Sequence, residues 1–327
     1  MSTIRNKQRL LHLYRFLQEN TDEDHQATTN DLVAFLKRED ANASRKTVKD
    51  DIEVLIEEGI DIVMTKCYYN SYFIGNRIFE LSEVKYLADM IASSRSLTNE
   101  KKEKLIGKLL STVSIHQAEK MREMISYSRD RVDSEQLYYN TYVIMDAIRK
   151  GKKIEFLYYD YSPTGERVLR HNGEIYICSP YGTACSDNRY YMVGYSDKHE
   201  HIVCFRIDSM LRASIIENEP AVKMPDDFAL DKYIDSLFDM QVGEEQEIVM
   251  ECCNDMMRVI IDTFGSRMET WKSTVDSFYV KTHVNVSPSF WGWLVKYEGK
   301  IRIISPVSVL NQYQDCIRSI LRGWKKK

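Results

Sequence analysis

Three apolar stripes at helical spacing, followed by two short alternating runs, occupy the first 74 residues and limit what this part of the chain can become. Leu10, Leu13, Tyr14 and Leu17 recur at i, i+3, i+4 and i+7, which puts one apolar face on a helix ending near Asn20. Leu32, Phe35 and Leu36 mark a second, shorter helix for which Thr29 or Asn30 supplies the N-cap. Ser44 caps a third, with Val48, Ile52, Leu55 and Ile56 as its stripe and Gly59 as its end. The runs IDIVMTKC and YYNSYFI then alternate as the two strands of a small hairpin.

Three helices and a hairpin, or wing, follow the plan of a winged helix-turn-helix. Beyond it the pattern changes. Leu81, Val84, Leu87 and Ala88, then Leu105, Leu109 and Leu110, are spaced for helices, the second beginning at Thr98; with Gly107 as the sole glycine and no proline, residues 79–136 form a helical connector. A helix over Gln136 to Arg149 leads into strand-type runs (IEFLYY, GEIYICSP, YYMVGYS, IVCFRI) separated by turn residues. Residues 219–243 read as a linker, and 244–327 alternate strand and helix as a small α+β unit. A chain of 327 residues exceeds one core, so several domains are expected: 1–78, 79–136, 137–218 and 244–327 around that linker. Trp291, Trp293 and Leu294 give one C-terminal helix more apolar surface than so small a unit is expected to bury alone, which points to a homodimer.

An apolar share of 43% with 29% charged residues excludes the disordered class. No stretch approaches the ~18 apolar residues of a membrane span, so no membrane partner and a cytoplasmic location are expected. Seven scattered cysteines without a CxxC pair read as reduced, mostly buried thiols. His199, His201 and Cys204 are close in sequence, but histidines around a hairpin turn usually face solvent, and no metal is expected there. No phosphate-cradling Gly-rich loop, G-x-S-x-G or H-E-x-x-H occurs, so neither catalysis nor a cofactor is expected.

Two segments carry candidate chemistry. Ser44, Arg45, Lys46, Thr47 and Lys49 open the third helix, where short polar and basic groups can reach base edges and phosphates. A local patch is required, because net charge is −4 and residues 1–70 hold ten Lys and Arg against thirteen Asp and Glu. In the second segment eight tyrosines fall between positions 158 and 195. Rings that stack on bases beside arginines that pair with phosphates are what single-strand binders use, although most such rings also serve as sheet packing. Val203, Phe205 and Ile207 alternate onto the core, which places Arg206 and Asp208 on the opposite face. Arg206 is then either a ligand group or half of an ion pair with Asp208 or Glu155.

At these residues the chain resembles a known family. SRKTVKDDIEVLIEEGIDI followed by YYNSYFIGNRIFELSEVKYLADMIASS looks like the N-terminal half of the WYL-domain transcription regulators. Tyr190-Tyr191-Met192 stands where that family has Trp-Tyr-Leu, Phe205-Arg206-Ile207-Asp208 resembles its F/Y-R-x-D strand, and WGWLVKYEGKIRIISPVSVLNQYQDCI is similar to its C-terminal extension, WCX. Lys49 and Asp50 replace the more usual Tyr and Arg, and Ser209 stands where Arg is frequent. The resemblance implies a multidomain α+β chain: winged helix-turn-helix, helical connector, a small Sm-like or SH3-like β-barrel, and a ferredoxin-like C-terminal domain. It also implies a regulator that binds double-stranded DNA as a homodimer and senses an anionic effector, a nucleotide or single-stranded nucleic acid, through Tyr158, Arg189, Tyr190, Tyr191 and Arg206. The alternative is an accessory protein that holds a nucleotide or single strand without sequence-specific duplex binding.

Overall fold

A computed structural model describes residues 2–66, 69–94, 96–127, 135–186, 188–238, 240–265 and 268–324. Two compact units result, Met1–Ser134 and Glu135–Lys327. In the first, α1 (Ser2–Asn20), α2 (Thr29–Arg38) and α3 (Arg45–Glu57) precede a hairpin of β2 (Ile62–Lys66) and β3 (Asn70–Ile74). Cys67 and Tyr68, which sequence assigns to the hairpin, lie outside the described residues. A strand of two residues, β1 (Ala27–Thr28), adds to β3 and is too short for alternation to reveal. Leu13, Leu17, Leu32, Leu36, Val48 and Ile52 meet in one core.

The cap of α2 is Thr28, not Thr29 or Asn30 as expected. Its hydroxyl accepts from the Asp31 N–H while the Asp31 carboxylate accepts from the Thr28 N–H, a reciprocal box that needs an acid three residues on. Thr29 and Asn30 are followed at that spacing by Leu32 and Val33, which cannot close it. Arg9 of α1 donates to Asp51 of α3 twice, Nε to Oδ2 at 2.6 Å and Nη2 to Oδ1 at 2.9 Å, with both side chains only 13% exposed. The pair fixes how α3 is turned about its own axis.

Three further helices, α4 (Leu81–Ser93), α5 (Asn99–Leu110) and α6 (Ile115–Glu123), share a core of their own around Val84, Ala88, Ile106 and Leu110. Asp22, buried after α1, ties them to the first three: the Ser114 hydroxyl and the His25 N–H both donate to its carboxylate, and Arg77 donates to the Gln18 and Thr21 carbonyls at 2.8 and 2.6 Å. Burial pushes the Asp22 carboxyl up, but the hydrogen bonds from Ser114 and His25 outweigh it and hold it below its usual value. The ionised form is thus the one the fold prefers. Its contribution is full above the unfolded value of ~3.9 and is lost as pH falls through the lower folded value. Melting curves taken from about pH 7 down to about pH 3 should show a smaller acid loss in Asp22→Asn than in wild type; equal losses would remove Asp22 as a source of acid sensitivity.

The second unit begins with α7 (Glu135–Lys150), followed by β4 (Lys152–Tyr161), β5 (Arg167–Leu169), β6 (Tyr176–Ser186), β7 (Arg189–Ser196), β8 (His201–Arg206) and β9 (Met210–Pro220). These six strands form a curled antiparallel sheet, half of a barrel, in the order β5-β4-β6-β7-β8 with β9 on β4. Ile144 and Ala147 of α7 pack against Ile154, Phe156, Met192 and Phe205 inside the curl. The expected linker contains structure: β9 reaches Pro220, and α8 (Leu230–Ser236) lays Leu230, Tyr233 and Ile234 over Tyr191 and Val193.

The chain ends as β10 (Glu244–Cys253), α9 (Met257–Phe264), β11 (Glu269–Lys272), β12 (Ser277–Val286), α10 (Pro288–Lys296), β13 (Ile301–Ser305) and α11 (Val307–Trp324), with an antiparallel sheet ordered β11-β12-β10-β13. Leu294 is buried, and Trp291 and Trp293 pack on this segment's own core, so the apolar surplus expected of α10 is absorbed internally. Phe238 and Tyr313 supply the partners, with ring centroids 5.5 Å from Trp293 and Trp291 respectively. Among the described cysteines only Cys178 and Cys252 are buried, where burial pushes each thiol up to about 12; Cys185 and Cys253 are exposed, which corrects the expectation of mostly buried thiols. Among the described residues no helix is long and apolar enough to cross a membrane.

Candidate nucleic-acid interface and ligand site

Ser44 caps α3 from extended backbone, its hydroxyl accepting from the Thr47 N–H at 3.1 Å. Val48, Asp51, Ile52 and Leu55 turn inward, which leaves Arg45, Lys46 and Lys49 exposed on the first two turns. Thr47 is half-buried with its hydroxyl 2.8 Å from that of Ser44, so it faces the cap more than the solvent. Arg45 and Lys49, one turn apart, line a cleft with Thr28 and Asn30 at the start of α2 and with Tyr69 and Asn70 at the hairpin. Two cations beside the amino end of a helix favour an anion electrostatically. Asp50 and Glu53, also exposed, confine that preference to the first turns. Thr28, Asn30 and Asn70 were missed by sequence reading, because only the packing of α2 and β3 beside α3 brings them there.

Arg206 ends β8 half-exposed, and its guanidinium holds Asp208 with both arms of the fork, Nε to Oδ1 at 3.1 Å and Nη2 to Oδ2 at 2.6 Å. That hydrogen-bonded carboxylate raises the Arg206 pKa against the opposing effect of burial. The main chain around the pair is held separately. Arg206 N–H donates to the Tyr158 hydroxyl at 3.1 Å, Tyr159 donates to the Asp208 carbonyl at 3.0 Å, and the buried Asn140 amide of α7 donates to the Ile207 and Met210 carbonyls at 3.0 and 2.9 Å. Two further arginines stand at this corner because β5 pairs with the end of β4, Tyr161 opposite Arg167. Arg167 lies 4.8 Å from the Tyr159 ring centroid; Arg170 lies 5.3 Å from that of Tyr158 and pairs with Asp160 at 2.6 Å. Neither was singled out from the sequence, where the turn YSPTGE hides that the chain returns alongside the tyrosines. Tyr161 keeps its ring open, 53% exposed.

The five ligand residues expected from sequence are not one cluster. Tyr191 sits directly opposite Arg206 and, with Arg189 two positions earlier, shares its face of the sheet. Tyr190 alternates to the other face, with Met192, and is separated from Arg206 by the thickness of the sheet. Tyr158 and Tyr191 are buried, Tyr158 among Phe156, Tyr176 and Phe205 and Tyr191 under α8, so neither ring offers a stacking face to solvent. For both, packing wins: strands that bury two faces turn alternate tyrosines into core. Burial pushes the Tyr158 hydroxyl up, which keeps it neutral as the acceptor for Arg206.

Residues 140–215 match the WYL domain, a span that runs from within α7 to within β9 and contains the Arg206 corner. No curated protein matches the chain. Among solved structures, proteasome accessory factor B/C (PafBC) of Arthrobacter aurescens is similar at 14% identity and a TM-score of 0.29 over 94% of this chain, which spans 45% of that one. A CRISPR Cas-related protein is similar at 10% identity and a TM-score of 0.36, over 99% of this chain and 85% of the other. Scores of this size are too low to equate whole folds. The match lies over α7 and the curled sheet, which carry the motif residues Tyr190, Tyr191, Met192 and Arg206, so this part of the chain is a WYL domain.

Proposed function

We propose that the protein is a cytoplasmic, homodimeric transcription regulator that binds duplex DNA through α3 and adjusts that binding to an anionic effector, a nucleotide or short single strand, held at the Arg206 corner. The observation that carries the reading is the exposed basic opening of α3, Arg45, Lys46 and Lys49 behind the Ser44 cap, in a chain that also holds a WYL domain. On this reading α1 to α3 with the β2–β3 hairpin act as a winged helix-turn-helix, Lys46 reaches base edges, and Arg45 and Lys49 take phosphates. The C-terminal order β-α-β-β-α-β with sheet order β11-β12-β10-β13 supports a ferredoxin-like domain. The reading assigns the chain no catalytic step and no cofactor.

Arg206, Arg170 and Arg167 supply phosphate contacts and Tyr161 the open ring, with Arg189 on the neighbouring strand. An effector changes DNA affinity only if it favours one state of the protein; about 1–3 kcal/mol of coupling suffices for a regulator. Selection of bound duplexes from a random pool, followed by Lys46→Ala and Arg45→Ala, tests the DNA half. Lys46→Ala should cost about 1–3 kcal/mol on the selected site and much less on random DNA, while Arg45→Ala should weaken both alike and flatten the salt dependence. Equal losses from both substitutions on both DNAs would remove the assignment, and the absence of any duplex consensus would favour an accessory protein that binds only the effector.

A further inference from the structure

We propose that Asp208 selects the effector: its carboxylate occupies the Arg206 fork that an incoming phosphate takes, so the corner admits ligands that carry a phosphate and turns away other anions. The inference rests on the reading of the Arg206 corner as the effector site. Nε and Nη2 are the donors with which a guanidinium grips a tetrahedral or planar anion from the side, and both are spent on Asp208. A phosphate must displace that carboxylate to take this side-on edge, the one in which Nε joins Nη2; Asp208 does not use the Nη1 side.

The exchange requires no refolding. Every main-chain anchor of the turn, from Tyr158, Tyr159 and Asn140, is independent of the Arg206 and Asp208 side chains. Both side chains are about one-third exposed, at 39% and 32%, a setting in which an ion pair contributes little to stability and a competitor has access. Arg170 repeats the arrangement beside the Tyr158 ring, held by Asp160. The attraction of Arg206 and of Arg170 for an anion is thus each largely cancelled until its own carboxylate moves. A free carboxylate ligand gains nothing over Asp208, which is tethered two residues away and always present at high effective concentration. A nucleoside monophosphate brings a phosphate of higher charge than a carboxylate, and a short single strand brings several phosphodiesters; both carry a base for the Tyr161 ring, which is 53% exposed.

The test is calorimetry on the full chain with adenosine, adenosine 5′-monophosphate and a short oligothymidylate, for wild type, Asp208→Asn and Arg206→Ala. Asp208→Asn is expected to tighten whichever phosphate-bearing probe binds by about fivefold, to leave adenosine unchanged, and Arg206→Ala to weaken that probe. The monophosphate and oligonucleotide arms separate a terminal phosphate from a chain phosphodiester as its source. If Arg206→Ala weakens binding while Asp208→Asn does not tighten it, the selecting role of Asp208 is overturned and the site stands. If Arg206→Ala leaves binding unchanged, or no probe binds either wild type or Asp208→Asn, the effector site itself is wrong and the inference falls with it.

Discussion

Asp51→Ala is expected to lower the stability of the N-terminal unit by about 3 kcal/mol, several times the cost of losing an ordinary surface ion pair. The size follows from burial. Arg9 and Asp51 are each only 13% exposed and joined by two hydrogen bonds, so removal of the carboxylate leaves a guanidinium in a poorly hydrated position with two donors unmet. The exposed neighbour Asp50 supplies the contrast: Asp50→Ala should stay within about 0.5 kcal/mol of wild type. The double replacement Arg9→Met with Asp51→Leu should recover most of the loss, because two apolar groups of similar bulk need no mutual charge compensation. All four tryptophans lie at position 271 or later, so tryptophan fluorescence reports only on the C-terminal end, whereas peptide-resolved hydrogen exchange reads α1 to α3 directly. A loss below about 1 kcal/mol, or one shared by the tryptophan signal, would show that the pair does not hold α3 in place.

That pair also shows where sequence stops being informative. Stripes of one period are legible because the residues that carry them meet inside a single helix or strand, and α1, α3 and the β2–β3 hairpin were read from spacing alone. Ser44 was legible as a cap for the same reason, since its partner Thr47 is three residues on. Arg9 and Asp51 are 42 positions apart, and nothing local to either announces the other. The Arg206 corner divides in the same way. The alternation of Val203, Phe205 and Ile207 correctly put Arg206 outside the core, and its alternative partner Asp208, two residues on, proved to be the partner. Arg167 and Arg170 reach the corner only through the pairing of β5 with β4, and the burial of Tyr158 and Tyr191 depends on α7 and α8 arriving from either side. Tyrosine density signalled that something was built here without saying which rings are packing and which are open. Physically, a phenol serves both roles equally well until its neighbours are known.

Phe156→Ala should be the more damaging change for the WYL domain, costing about 4 kcal/mol, near the top of the range for a buried aromatic. Phe156 is 1% exposed, with ring centroids 5.7 Å from Tyr176 in a stacked arrangement and 5.2 Å from Phe205 edge-on. The cost of such a truncation depends on whether the surroundings collapse into the space left behind. Here they are held back. Tyr158 is tied through its hydroxyl to the Arg206 N–H, and Tyr176 and Phe205 sit on strands paired on the ladder, so the cavity stays largely open. Phe156→Leu, which keeps most of the volume, should cost only about 1 kcal/mol. The same geometry carries the damage to function, because Tyr158 and Phe205 flank the turn that presents Arg206 and Asp208. On the proposed function, at temperatures where Phe156→Ala still folds, oligonucleotide affinity at the Arg206 corner should fall while binding of the α3 face to duplex DNA without effector persists. Hydrogen exchange resolved by peptide decides the matter: protection should drop across β4 to β8 and remain intact in α1 to α3. Equal loss of protection in both units would show that they fold as one cooperative body, and a cost below about 1.5 kcal/mol would show that the aromatic cluster relaxes to fill the gap.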